Sequence, residues 1–120
     1  MHSPPARALV LVVDDEPAIR AVLTILLADE GYRVISAADG QEALDHLAHH
    51  CPDVIVSDLR MPRLHGLALV ERLRADGLAT PVILVSSCCP HANLPGVRYV
   101  PKPFDLDHIT AAVAACLAND

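Results

Sequence analysis

The sequence has almost no aromatic residues: Phe104, Tyr32 and Tyr99 are the whole set in 120 residues, and tryptophan is absent. With 52% of the chain hydrophobic, the core must be built from alanine, leucine and valine, which suits the aliphatic layers of an α/β sandwich. Basic clusters are missing too. Lys102 is the single lysine, no more than two basic residues stand close together, and the formal charge is −6. Nucleic-acid binding by this domain alone is therefore not expected. The four cysteines, Cys51, Cys88, Cys89 and Cys116, form no CxxC pair. The adjacent Cys88-Cys89 could bridge only with strain, so free thiols in a reducing cytosol are expected. The seven histidines are scattered, and His49-His50 reads as the end of a helix rather than a metal site. No apolar run reaches membrane-spanning length. The longest, Ala8 to Val13, has a poor basic leader and stops at Asp14-Asp15-Glu16. A cytoplasmic protein without membrane contact is the expectation.

What is present is an alternation. Ala8 to Val13 is continuously apolar, as a strand buried on both faces requires. Pro17 suits the first turn of a helix, Ala18, Val22, Ile25 and Leu26 follow at helical spacing, and Gly31 ends it. Arg33 to Ala37 reads as a second strand, and Asp39-Gly40 leads into a helix carrying Ala43, Leu44 and Leu47. Val54 to Val56 is a third strand ending at Ser57-Asp58, and a loop from Leu59 to His65 precedes a helix with Leu67, Leu69, Val70 and Leu73. Val82 to Val85 and Val97 to Val100 are strands four and five, and Ile109, Val113 and Leu117 stripe the last helix. Alternating strands and helices predict βαβ units with right-handed crossovers and a parallel sheet covered on both faces. At this length one domain is expected over residues 1–120, with its core at about 7–118.

The informative polar residues end the strands. Asp14 and Asp15 follow strand one, Asp58 strand three, Ser86 strand four, and Lys102 lies just past strand five. Open α/β sheets bind ligands outside the carboxyl ends of their strands, where the winding reverses. With strand order 2-1-3-4-5, strands one and three are neighbours there, and the three aspartates share a pocket. Like charges at about 5 Å and an effective dielectric of about 20 repel by roughly 3 kcal/mol per pair, so the pocket needs a cation. Hard oxygen ligands favour Mg²⁺ over zinc. Lys102 and the Ser86 hydroxyl could complete charge neutralisation around a phosphoryl group. Taken singly, an aspartate after a strand is often a helix cap and a lone lysine is usually solvated. Their joint placement is what selects them.

At these residues the sequence resembles the receiver domains of two-component response regulators, from Leu9 to Leu117. Val12-Val-Asp-Asp-Glu-Pro17 is similar to that family's acidic opening, and Asp58-Leu-Arg-Met-Pro-Arg-Leu-His-Gly66 to its phosphoacceptor loop. Val85-Ser86 matches the hydroxyl position and Lys102-Pro-Phe104 the K-P-F motif. The resemblance implies a flavodoxin-like (βα)5 three-layer sandwich. It implies Asp58 as acceptor of a phosphoryl group from a histidine kinase or histidine phosphotransfer domain within a phosphorelay. Mg²⁺ would be held by Asp15, Asp58 and the Arg60 backbone carbonyl, with Asp14 acting through water. Lys102 would bond a phosphate oxygen, next to a cis Lys102-Pro103 peptide. Met61 and Pro62 would shape the loop, and Gly66 would supply a backbone conformation that other residues resist. Ser86 and Tyr99 would form the switch, the hydroxyl moving towards the phosphoryl group and Tyr99 filling the space it leaves. The competing account of Tyr99, weighed below the switch, is a half-buried tyrosine on an edge strand. The signal would pass to a downstream partner or output domain.

The match fails between Ser87 and Gly96, where the chain is short and Pro90 and Pro95 oppose a helix interior. A fourth helix that is a single turn or missing is predicted, which leaves the output surface open. Ser87 stands where small residues are common in the family, and Arg60 and Cys88 stand at positions that tune phosphoryl lifetime. Two other functions compete with the phosphorylation switch. One is a phosphatase with an aspartyl-phosphate intermediate, although such enzymes usually carry a second Asp where Arg60 stands. The other is a degenerate receiver that only binds a partner.

Overall fold

A computed structural model of the chain describes residues 8–61, 63–87 and 94–118. Five strands, β1 (Leu9–Val13), β2 (Arg33–Ala37), β3 (Val54–Asp58), β4 (Val82–Ser86) and β5 (Val97–Pro101), form one parallel sheet in the order β2-β1-β3-β4-β5. Among the described residues there are four helices: α1 (Pro17–Asp29), α2 (Gly40–Leu47), α3 (Gly66–Ala75) and α4 (Leu106–Ala118). This is the expected flavodoxin-like architecture. The segment between β4 and β5 has no helix among its described residues, Ser87 and Leu94 to Gly96. Residues 88–93, which contain Cys88, Cys89 and Pro90, lie outside the described residues, as does Pro62.

The sheet divides the core in two because successive side chains in a strand point to opposite faces. Val10 and Val12 of β1 join Val54, Val56, Ile83 and Val85 beneath Leu23 and Leu27 of α1 and Ile109 and Val113 of α4. Leu11 and Val13 join Ile55, Leu84 and Ala37 beneath Ala43 of α2 and Leu69, Val70 and Leu73 of α3. Every residue of β1, β3 and β4 is buried, which explains why their sequences are continuous apolar runs rather than alternating ones. The edge strand β2 alternates less cleanly and stays half-exposed.

Local chemistry sets the helix starts. Pro17 opens α1, where its missing N–H leaves nothing unsatisfied. The Asp39 carboxylate caps α2 by accepting from the Glu42 N–H at 2.8 Å, and the Glu42 carboxylate accepts from the Ala38 N–H at 2.6 Å. Gly31, at φ +98°, closes α1 in the left-handed conformation that glycine tolerates.

Candidate functional site

The winding reverses between β1 and β3, so the chain leaves their carboxyl ends in opposite directions and opens a crevice there. The register pairs Val13 of β1 with Ser57 of β3, which brings Asp14 and Asp58 to neighbouring strand tips. Asp14, Asp15 and Asp58 present carboxylate oxygens that all lie within 4.8 Å of one another. Asp14 and Asp58 are buried, at 3% and 7% exposure, and Asp15 is exposed. Lys102, just past β5, reaches across β4 to place Nζ 3.1 Å from Asp58 Oδ2. Its backbone N–H donates to the Ser86 carbonyl at 2.8 Å, which extends the β4–β5 ladder and aims the side chain at the crevice.

Several backbone groups hold the acids. Asp14 Oδ1 accepts from the Glu16 N–H at 2.8 Å, and the Asp14 N–H donates to the Ala37 carbonyl at 3.1 Å. Asp58 Oδ1 takes a long 3.4 Å contact from the Arg60 N–H. Burial pushes the Asp14 carboxyl above its ordinary value of 3.8. Asp58 and Asp15 push the same way, while the Glu16 N–H and Lys102 oppose them. The single positive charge of Lys102 does not balance three carboxylates gathered this closely. An oxygen-only, doubly negative donor set fits a hard divalent cation of the Mg²⁺ type and not a thiophilic one.

Ser86 is buried at the tip of β4, two residues after Leu84 and therefore on its face of the sheet. Tyr99 is in register with Leu84 and packs half-buried against the same apolar cluster. The predicted switch pair thus shares one face. The Lys102-Pro103 peptide is cis, as the resemblance implied. One expectation is corrected. Gly66 does not hold a left-handed conformation; among the described residues Gly31, Gly77, Gly96 and Arg63 have positive φ. Gly66 is needed for close approach, because a Cβ there would stand 2.8 Å from the Asp58 carbonyl oxygen and 3.0 Å from Leu59 Cα. The Gly66 N–H donates to the Leu59 carbonyl at 2.8 Å and folds the loop tightly behind Asp58.

Sequence reasoning missed two arginines. Arg20 Nη1 donates to the Asp14 backbone carbonyl at 2.7 Å. Arg63, at φ 70°, pairs with Asp39 at 3.1 Å and ties the loop after β3 to the start of α2. The placement of Arg63 depends on tertiary contact. Arg20 left a faint signal, a lone cation in the first turn of a helix, where the dipole disfavours it.

The fold and its crevice define a doubly wound α/β protein that gathers three carboxylates and a lysine at its topological switch point. The chain belongs to the response regulator receiver domain family, whose model matches residues 10–114, and so to the signalling switches of two-component regulation. It is 40% identical over 114 residues to the response regulator MprA of Mycobacterium sp. (strain KMS), covering 90% of this chain and 50% of MprA. The chain spans a quarter to a half of the length of the first curated relatives it matches. Among solved structures, the receiver domain of the Francisella response regulator 1452 superposes with a TM-score of 0.86 at 32% identity, covering 93% of this chain and 98% of that one. The Thermotoga maritima response regulator TrrA, solved in complex with Mg²⁺ and BeF, gives 0.81 at 31% identity over 91% of this chain and 98% of that one.

Proposed function

We propose that residues 1–120 form a single receiver domain in which Asp58 accepts a phosphoryl group from the phosphohistidine of a histidine kinase or phosphotransfer domain. The observation that carries this reading is the convergence of Asp14, Asp15 and Asp58 within 4.8 Å, with Lys102 bonded to Asp58. A carboxylate oxygen of Asp58 attacks phosphorus, the N–P bond of the donor breaks, an O–P bond forms, and the released imidazole takes a proton from solvent. Asp14, Asp15, Asp58 and the Arg60 carbonyl would hold Mg²⁺, Asp14 through water. When bound, the ion would supply charge neutralisation for the transferred phosphoryl group, and the Mg²⁺ complex of the similar TrrA supports this assignment. Lys102 exchanges its bond to Asp58 for a phosphoryl oxygen.

The Ser86 hydroxyl moves towards the new anion, and Tyr99 follows into the space behind it, since both lie on one face. A single local charge thereby biases a two-state element. The output passes to a downstream partner or an output domain, consistent with relatives longer than this chain. We assign the protein to the cytoplasm as a signalling switch rather than an enzyme with an external substrate; no described helix is long and apolar enough to cross a membrane.

Incubation with acetyl phosphate, with and without Mg²⁺, tests the reading by intact mass. Wild type gains one phosphoryl group only with Mg²⁺, and Asp58→Asn gains none. Equal labelling of both proteins rejects Asp58 as acceptor. Sustained turnover of a small phosphomonoester would favour an aspartyl-phosphate phosphatase instead. Absence of any Mg²⁺ response would favour a binding-only receiver.

A further inference from the structure

Arg20 is the only cation on α1, at the fourth helical position, where the dipole disfavours positive charge. Among the described residues no ion pair holds it. Its guanidinium turns back over the β1–α1 loop and donates to the Asp14 backbone carbonyl at 2.7 Å. That contact matters because the two neighbouring acids are held differently. Asp14 is fixed through its N–H by Ala37 and through its carboxylate by the Glu16 N–H. The exposed Asp15 side chain has no hydrogen bond or ion pair among the described residues, so the backbone, through the direction of the Cα–Cβ bond, is what constrains it.

The Asp14 carbonyl and the Asp15 N–H belong to one planar peptide unit. Anchoring the oxygen fixes the plane from which the Asp15 Cα–Cβ bond departs. We propose that Arg20 is a positioning residue for the cation site: by clamping the Asp14–Asp15 peptide it aims the Asp15 carboxylate at an ion shared with Asp14 and Asp58. The inference rests on the reading of these three acids as a Mg²⁺ site.

Two effects of Arg20 have opposite signs. As a bare positive charge beside the pocket it repels a divalent cation, so its removal would tighten binding. As a clamp its removal loosens binding, typically by about 10- to 100-fold for groups that orient metal ligands. Calorimetric Mg²⁺ titration of the full chain separates the two. Arg20→Met, which keeps the apolar stem without charge or donor, is expected to weaken binding by about tenfold or more. Arg20→Lys, which can still donate to the carbonyl, should weaken it less. In the metal-free proteins the ¹⁵N–¹H resonance of Asp15 should move with the affinity, most in Met and less in Lys.

Arg20→Met binding Mg²⁺ as tightly as wild type, or more tightly, overturns the proposal. So does an affinity that changes while the Asp15 amide stays in place, in either variant, which keeps the test valid should Arg20→Met not fold. Wild type that fails to bind Mg²⁺ removes the cation site itself and the clamp with it; wild type that binds beside an indifferent Arg20→Met removes the clamp alone.

Discussion

At the scale of single residues, the acidic crevice is a liability that the rest of the fold tolerates. Asp14 is buried beside two other carboxylates, and its pKa is raised chiefly by lost hydration. A carboxyl whose pKa rises on folding leaves stability intact below its unfolded value of 3.8 and removes it as pH climbs through the folded value. Asp14→Asn should therefore stabilise the metal-free protein at neutral pH. Asn can still accept from the Glu16 N–H, and the removed charge no longer faces Asp58 and Asp15. Urea unfolding in EDTA checks this. The advantage of the variant should shrink as pH is lowered towards the ordinary carboxylate range, and an advantage that grows on acidification would contradict the assignment. The candidate acids were legible in the sequence because each ends an apolar run that only a buried strand explains. Arg20 left only the faint signal of a misplaced cation, because its role is to touch a backbone carbonyl, an atom every residue carries.

At the scale of elements, the loops that build the crevice are held by caps and close contacts rather than by their own propensity. Asp39 caps α2 and also receives Arg63 from the loop after β3. Asp39→Ala should cost about 1 kcal/mol through the lost cap. The ion pair, with the Arg63 end in solvent, adds little to that figure. Denaturant midpoints would measure it, and an unchanged midpoint would mean that the cap contributes nothing. Gly40 faces Leu64 so closely that a Cβ would stand 2.5 Å from the Leu64 Cβ, a second tie between the same two loops. Strand and helix order followed from hydrophobic period, with boundaries close to those observed. Gly66 shows where such reading stops. The resemblance implies a special backbone conformation there, but the close approach of the Asp58 carbonyl and Leu59 Cα supplies the reason for a glycine.

For the molecule as a whole, binding at the crevice should be coupled to global stability, because Asp14 follows β1 and Asp58 ends β3, two fully buried inner strands. A ligand that binds only the native state adds about 2.7 kcal/mol at a hundredfold excess over its Kd. Mg²⁺ should accordingly raise the Tm of the wild type by several degrees and that of Asp14→Asn much less. A rise of the same size in both, followed by differential scanning calorimetry, would place the ion elsewhere. The Leu, Ile and Val side chains of β1, β3 and β4 lie at 0–5% exposure, so the strands that carry these acids unfold only with the core.

The amino-acid sequence alone determined the alternation of strands and helices, the burial of the central strands and the candidate acids at their tips, since each depends on periodicity or on a residue beside its neighbours in the chain. Tertiary structure decided that residues 14 and 58, 44 positions apart, place their carboxylates within 4.8 Å. It also decided that Lys102 reaches Asp58 across β4 and that Arg20 grips the peptide between two acids. Those facts depend on strand order, register and twist, which arise from packing both faces of the sheet at once.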